Sequence, residues 1–283
     1  MPYPTATPAT WFVTGASRGL GLELVRQLLD RGDHVAATTR SPERLLDSLA
    51  GTDTEHLLAL PLDLADAAAV DAAVTRTVQH FGRLDVVVNN AGYGHLAAVE
   101  ETTTDDIRRM LDVQVLGAWN VVRAAIPHMR AARSGHVVNV SSILGLTTVP
   151  GWGLYSAGKF ALNAMSEALA GEVAGHGIAV TIVEPGYFRT DFLTTDSLSL
   201  PAATTDAYPE IREMTQSHLD LQGSQLGDPV KGAAAIIRVA VTGAGPLNQL
   251  LGSDSVSYAE ARLAALRADI DTGRELALST DHA

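Results

Sequence analysis

The sequence predicts an α/β fold: a doubly wound, mostly parallel seven-stranded sheet flanked by helices on both faces. Three observations predict it. Short runs that are apolar throughout alternate along the chain with stretches of helical periodicity, the pattern of strands buried on both faces by crossover helices. A glycine-rich turn stands between the first such run and the first helical stretch. The runs end in small or polar residues, so the strand tips form one polar rim, which is where open parallel sheets hold ligands.

In order, residues 1–9 are rich in Pro, Thr and Ala and read as a mobile tail. Trp11-Phe12-Val13 is the first strand. Thr14-Gly15-Ala16-Ser17-Arg18-Gly19-Leu20-Gly21 is the turn, and Leu22 to Leu29 carries apolar residues at helical spacing. His34 to Arg40 is the second strand and Leu57 to Leu62 the third, followed by Asp63-Leu64. Asp66 to His80 is an Ala/Val-rich helix. Leu84 to Val88 is the fourth strand, ending in Asn89-Asn90-Ala91-Gly92. Thr103 to Ala131 reads as one long helix, Val137 to Val140 as a strand ending at Ser141-Ser142, and the segment with Tyr155 and Lys159 as a helix. Val180 to Val183 leads into Glu184-Pro185-Gly186. Residues 187–226 then break the alternation, mixing Phe188, Phe192, Leu193, Leu198, Leu200 and Tyr208 with acids and threonines. They read as a lid over the site or as a structural excursion without substrate contact. Asp228-Pro229 opens another helix, with proline in its first turn. Leu247 to Leu251 is the last strand, and Val256, Leu263, Leu266 and Ile270 mark an amphipathic C-terminal helix within an extension over 253–283. No repeat or linker divides the chain, so 1–283 is read as one domain.

Composition narrows the function. The chain has 283 residues, 46% of them hydrophobic, enough for a large core. Its formal net charge is −12, which repels nucleic acid and anionic lipid, so neither is expected as a partner. No uninterrupted apolar run is long enough for a membrane span. The N-terminus shows no signal-peptide pattern. The absence of cysteine excludes disulfides, thiolate metal sites and a cysteine nucleophile, and fits a cytoplasmic protein without demanding one. No metal is expected.

Two constellations carry chemistry. The glycine turn lets a pyrophosphate approach the backbone at a helix N-terminus, where free N–H groups and a partial positive charge meet it. At the tip of the second strand no acidic residue precedes Glu43. Arg40 stands there instead, with Arg18 in the turn. The two guanidinium groups suit the 2′-phosphate of NADP(H), unless both are only solvated surface cations. Further on, Tyr155 and Lys159 are four residues apart, so on a helix they share a face. A cation beside a phenol lowers its pKa from about 10 towards neutrality and equips it for proton transfer. Ser142, at a strand tip, can reach the same point.

Together the Thr14–Gly21 turn, Asp63, Asn89-Asn90-Ala91-Gly92, Ser142, Tyr155 with Lys159, and Pro185-Gly186 with Thr190 resemble the short-chain dehydrogenase/reductase family of the compact, single-domain, Rossmann-like type. The resemblance runs from Trp11 to about Leu251. It implies hydride transfer between a nicotinamide and a carbonyl or alcohol carbon. Tyr155 is the implied acid/base, Ser142 the donor to the reacting oxygen, and Lys159 the group that lowers the tyrosine pKa and holds the nicotinamide ribose. Gly15, Ser17, Arg18, Gly19, Leu20 and Gly21 are implied at the pyrophosphate, Asp63 and Leu64 at the adenine, and Asn90 with Ala91 and Gly92 beside the cofactor ribose. Pro185, Gly186, Phe188 and Thr190 are implied at the carboxamide. Homodimers or homotetramers, packed through the long helix and the Tyr155 helix, are common in the family.

One position departs from the family pattern. An asparagine usual on the long helix, where it helps hold a water that relays protons to the lysine, is Gln114 here. The extra methylene moves its amide by about 1.5 Å, and the expectation is a modified relay at Gln114. The leading reading is an NADPH-dependent oxidoreductase acting on a hydrophobic ketone, aldehyde or secondary alcohol. The alternatives are a catalytically silent NADP-binding regulator and a lyase or epimerase on the same fold. Tyr93, His95 (as a rim residue), Leu96, Leu144, Val149, Trp152, Leu154 and the lid residues are the expected pocket wall.

Overall fold

The computed structural model describes residues 8–243 and 245–282. Its strands are β1 (Thr10–Thr14), β2 (His34–Thr39), β3 (Leu57–Pro61), β4 (Val86–Asn89), β5 (Gly94–His95), β6 (Gly135–Val140), β7 (Ile178–Pro185), β8 (Leu198–Ser199) and β9 (Asn248–Leu251). Its α-helices are α1 (Gly19–Asp30), α2 (Pro42–Ser48), α3 (Ala67–Phe81), α4 (Thr104–Leu111), α5 (Gly117–Ala132), α6 (Gly153–Val173), α7 (Pro209–Asp220), α8 (Pro229–Thr242) and α9 (Ser253–Leu278).

Seven strands form one sheet in the order β3-β2-β1-β4-β6-β7-β9, and every pairing in it is parallel. The expected doubly wound fold is therefore the observed one. The chain starts in the middle, winds outwards to β3, then crosses to β4 and winds the other way. Strand order reverses between β1 and β4, and a crevice opens there beyond the strand ends.

Alternation along β1 shows why both sheet faces are covered. Phe12 packs into a core with Val70 and Ala73 of α3, Val121 and Ala125 of α5 and Leu162 of α6. Trp11 and Val13 point the other way, into a core with Leu24, Val25 and Leu28 of α1, Leu45 of α2 and Ile236 of α8. A third cluster, with Leu96, Trp152, Leu193, Leu198 and Ile211, lies under residues 187–226.

Local chemistry sets the helix starts. Asp66 accepts N–H bonds from Ala68 and Ala69 at 3.0 Å each and caps α3. Thr103 and Asp106 form a capping box at α4. Asp228 caps α8, ahead of Pro229 in its first turn. The expected single helix over 103–131 is interrupted. Gly117 N–H bonds the carbonyl of Asp112, a five-residue step, so Asp112–Leu116 is one wide π turn between α4 and α5.

The excursion at 187–226 has a neck. Gly227 N–H donates to Tyr187 O and Arg189 N–H donates to Gly227 O, both at 2.8 Å. Inside it β8 pairs in parallel with β5, Gly94 with Leu198 and His95 with Ser199. Helix α7 is tied to the body by the Arg212–Glu101 ion pair, by Thr205 N–H to Glu101 Oε1 at 2.8 Å and by Tyr208 Oη to Glu100 Oε2 at 2.6 Å.

The tail expected over 1–9 is shorter at its inner end. Ala9 is buried and its N–H donates to Asp33 Oδ1 at 3.0 Å, which ties it to the sheet. Residues 1–7 lie outside the described residues, as does residue 283 of the C-terminal extension.

Candidate active site

The crevice at the strand ends is a cavity of about 940 Å³. Of the residues singled out from the sequence, Gly15, Ser17, Arg18, Gly19, Leu20, Arg40, Asp63, Leu64, Asn90, Ala91, Gly92, Ser142, Tyr155, Lys159, Pro185, Gly186, Phe188 and Thr190 all line it. Gly21 and Gln114 stand behind its wall.

The turn between β1 and α1 is shaped by close approach. Gly15 has φ +66°, and a Cβ there would come within 2.7 Å of the Ala91 backbone. A Cβ on Gly21 would collide with Asn90 Nδ2 and the Gly15 carbonyl. Asn90 locks this corner, its Nδ2 donating to Thr14 O at 3.0 Å and Gly15 O at 3.1 Å. Thr14 Oγ1 in turn accepts the N–H groups of Asn90 and Ala91 at 3.0 and 3.1 Å. Thr14 was not singled out beyond its place in the turn. Its hydroxyl, at the end of a buried strand, was the available signal.

The far end of the cavity is cationic. Burial lowers the Arg18 pKa most, Asp196 opposes this, and Arg40 and Arg44 lower it further. Its Nη2 donates to Asp196 O at 2.8 Å. Three guanidinium groups thus share one end of the site. Arg44, on α2 four residues beyond Arg40, is the one sequence reasoning missed. Nearby, Asn120 Nδ2 donates to Leu64 O at 3.0 Å and supports the loop that carries Asp63 and Leu64.

At the other end Ser142, Tyr155 and Lys159 come together. Ser142 lies beside the Tyr155 phenol and lowers its pKa, and Ser142 Oγ accepts the Leu144 N–H at 3.1 Å. Lys159 Nζ lies 5.6 Å from the centre of the Tyr155 ring and donates to Val140 O at 2.9 Å. The expectation that the lysine draws the phenol towards neutrality is corrected here. Burial pushes the Tyr155 pKa up, outweighing the lowering by Ser142, and burial alone brings Lys159 down to about 8. Removal from water disfavours the charged form of each group.

Gln114 sits on the π turn and is 1% exposed. Its Nε2 donates to Tyr93 O at 2.8 Å. Its Oε1 is buried with no partner among the described residues and faces Gly158, where a Cβ would be 2.9 Å away. Gly92 lies between the two polar heads. A Cβ on it would be 3.6 Å from Lys159 Nζ and 3.8 Å from Gln114 Nε2.

The same end of the cavity is walled by Tyr93, Leu144, Val149, Trp152, Phe192, Leu193 and Leu198. Trp152 packs edge-on to Tyr155 at 5.4 Å, and Phe192 does the same at 5.7 Å. His95 is corrected from rim to interior. It is 2% exposed, its Nδ1 lies 3.3 Å from Ser199 Oγ, and burial lowers its pKa. Leu96 belongs to the core beneath and does not line the cavity. Tyr187, Gln225 and Tyr258 line the wall without having been singled out. Tyr187 Oη meets His218 Nε2 at 2.8 Å, and its N–H donates to Asp254 Oδ2 at 2.7 Å.

Behind α6 lies a buried acid. Glu184, fully buried at the end of β7, accepts from Asn163 Nδ2 at 2.8 Å. Burial raises its pKa to about 7. Glu184 Oε2 and Asn163 Oδ1 are both buried without a partner among the described residues. Protonation gives Oε2 a proton to donate, which a carboxylate lacks.

A family model for short chain dehydrogenases matches residues 9–199. Oxidoreductase BOA17 of Botryotinia fuckeliana is 37% identical over 270 residues, covering 95% of this chain and 98% of that protein. The crystal structure of a short-chain dehydrogenase from Streptomyces avermitilis superposes with a TM-score of 0.89 at 36% identity, covering 98% of this chain and all of the other. ElxO with NADP bound superposes at 0.75 and 26% identity, covering 89% of this chain and all of that one.

Proposed function

Because the chain belongs to the short-chain dehydrogenase/reductase family of oxidoreductases, we propose that it is an NADP(H)-dependent reductase of a hydrophobic ketone or aldehyde, or the reverse dehydrogenase of a secondary alcohol. The observation that carries this is the meeting of Ser142, Tyr155 and Lys159 at the apolar end of a cavity whose other end holds Arg18, Arg40 and Arg44.

The residues fit the cofactor. Gly15, Ser17, Gly19 and Leu20 leave backbone free at the start of α1 for a pyrophosphate. Arg18, Arg40 and Arg44 offer guanidinium forks to a 2′-phosphate, and no carboxylate stands at the tip of β2 to favour a ribose hydroxyl. In this reading Asp63 and Leu64 take the adenine, Asn90, Ala91 and Gly92 the ribose, and Pro185, Gly186, Phe188 and Thr190 the carboxamide; all of them line the cavity. That ElxO was solved with NADP bound supports the same choice.

Bound NADPH supplies the hydride. Tyr155 gives its phenolic proton to the carbonyl oxygen as negative charge develops there, and Ser142 donates a hydrogen bond to the same oxygen. A phenol held above its ordinary range is protonated at neutral pH, the form that carbonyl reduction requires. The Lys159 ammonium then faces the resulting phenolate. In this reading the unpaired acceptor of Gln114 beside α6 belongs to a modified proton path to Lys159.

The exposed Trp119 on α5 and Phe160 on α6 support assembly as a homodimer or homotetramer through those helices. The test of the activity is nicotinamide absorbance with NADPH or NADH and a panel of hydrophobic ketones and aldehydes. Turnover is expected with NADPH and is lost by a factor of about 10² to 10⁴ in Tyr155→Phe. Full activity in that variant would refute the assignment.

A further inference from the structure

Helix α9 is rooted at one end only. Asp254 accepts the Tyr187 N–H, Ser255 Oγ donates to Glu184 O at 2.7 Å, and Ala259 is buried against the body. From Leu263 to Leu278 every residue is exposed. A single helix of that length is marginal in water without packing. Its apolar residues nevertheless keep a heptad spacing: Val256, Ala259, Leu263, Leu266 and Ile270 fall at intervals of three, four, three and four. Leu263 is 67% exposed and Ile270 49%.

We propose that this stripe is an interface between two copies of the chain, which pair antiparallel through α9. The charges flanking the stripe select this partner and this direction. Place Leu263 of one copy opposite Leu266 of the second. The same register brings Ile270 to the root of the second copy's α9, at the edge of the body that covers Ala259, and sets Gly273 against its Val256. On one flank Arg262 then meets the second copy's Asp269. On the other flank Glu260 meets its Arg267. The two-fold axis repeats each contact, so one register yields four intermolecular ion pairs and no like-charged contact among these residues. A parallel pair would instead set Arg262 against the second copy's Arg267, cation against cation. Among the described residues neither Arg262 nor Asp269 has an ion pair within its own chain, and Arg267 is held only by the exposed Asp271. The stripe continues from the root of α9, so the end of one helix lies across the root of the other. This surface is separate from Trp119 and Phe160.

The test is sedimentation of the full chain over a wide concentration range, comparing wild type, Arg262→Asp, Asp269→Arg and the double variant. These positions lie off the core, so all four chains fold. Each single reversal turns two attractions into two repulsions and is expected to weaken self-association at least about tenfold. The double variant restores the pairing with its signs exchanged and is expected to return to within a few-fold of wild type. Four chains of equal mass at every concentration would overturn the proposal, as would a double variant no better than the single ones.

Discussion

The buried pair Glu184–Asn163 makes a prediction that can be worked through in numbers. Glu184 has an ordinary pKa of 4.5, which burial raises to about 7 in the folded chain. Between those values the folded state binds a proton that the unfolded state has released. Stability therefore falls as pH rises from about 4.5 to 7, and the loss is complete above the folded value. A difference of about 2.5 pH units corresponds to at most about 3 kcal/mol. Glu184→Gln is shaped like the protonated acid. Its carbonyl keeps the bond from Asn163 Nδ2 and its amide puts a donor in place of Oε2, so no charge is buried there at any pH. At pH 8 the variant should gain up to about 3 kcal/mol over wild type, about 6 to 12 °C in Tm for a chain of this size. At pH 4.5 the two should be nearly equal. Denaturant unfolding of both proteins between pH 4.5 and 8.5 measures the difference directly, since every other titrating group is common to the two. Identical pH dependence in the two proteins would refute the reasoning, because Glu184 would then carry no proton in that window.

Three further outcomes are expected. Removing Arg40 and Arg44 together as alanines should raise the KM for NADPH by about tenfold to a hundredfold, from the loss of charge-assisted phosphate bonds, and leave NADH almost unchanged; parallel loss with both cofactors would show that the arginines do not read the 2′-phosphate. Gly21→Ala would stabilise an ordinary helix by about 1 kcal/mol, but here the added Cβ meets Asn90 Nδ2 and the Gly15 carbonyl, so thermal unfolding should show a net loss. Gln114→Asn should lower stability by about 1 to 2 kcal/mol, because it breaks the bond to Tyr93 O and leaves a void, without raising kcat; a large gain in turnover would mean that glutamine impairs the proton path.

What was legible in the sequence follows from what each signal measures. Parallel strands buried on both faces read as unbroken apolar runs, so Trp11-Phe12-Val13 and Val137 to Val140 were found, and their tips with them. Tyr155, Lys159 and Ser142 were found because helix spacing and strand ends fix direction as well as position. The pKa of Tyr155 was misjudged because sequence spacing reveals a neighbouring charge but not burial, and burial is the larger effect here. His95 lies in the interior because β5 pairs with β8, which depends on residues a hundred positions away. Arg44 stands on α2, beyond the tip of β2 that the cofactor rule reads, so its role depends on how that helix folds back over the cavity. The π turn at Gln114 has no period of its own, so the long helix looked continuous.

The neck at Tyr187, Arg189 and Gly227 has a consequence for how the substrate end can vary. Both ends of the excursion meet in one small parallel bridge, so the 37 residues from 190 to 226 leave and rejoin the body at a single point. The seven-stranded sheet does not pass through them, and the family match itself stops inside them, at residue 199. The segment behaves as a cassette. Its contents can be lengthened, shortened or exchanged with those of a related chain while the glycine turn and the Ser142–Tyr155–Lys159 group stay in register, as long as the Asp196 carbonyl that holds Arg18 is kept, so a new specificity can be grafted by cutting at two adjacent places.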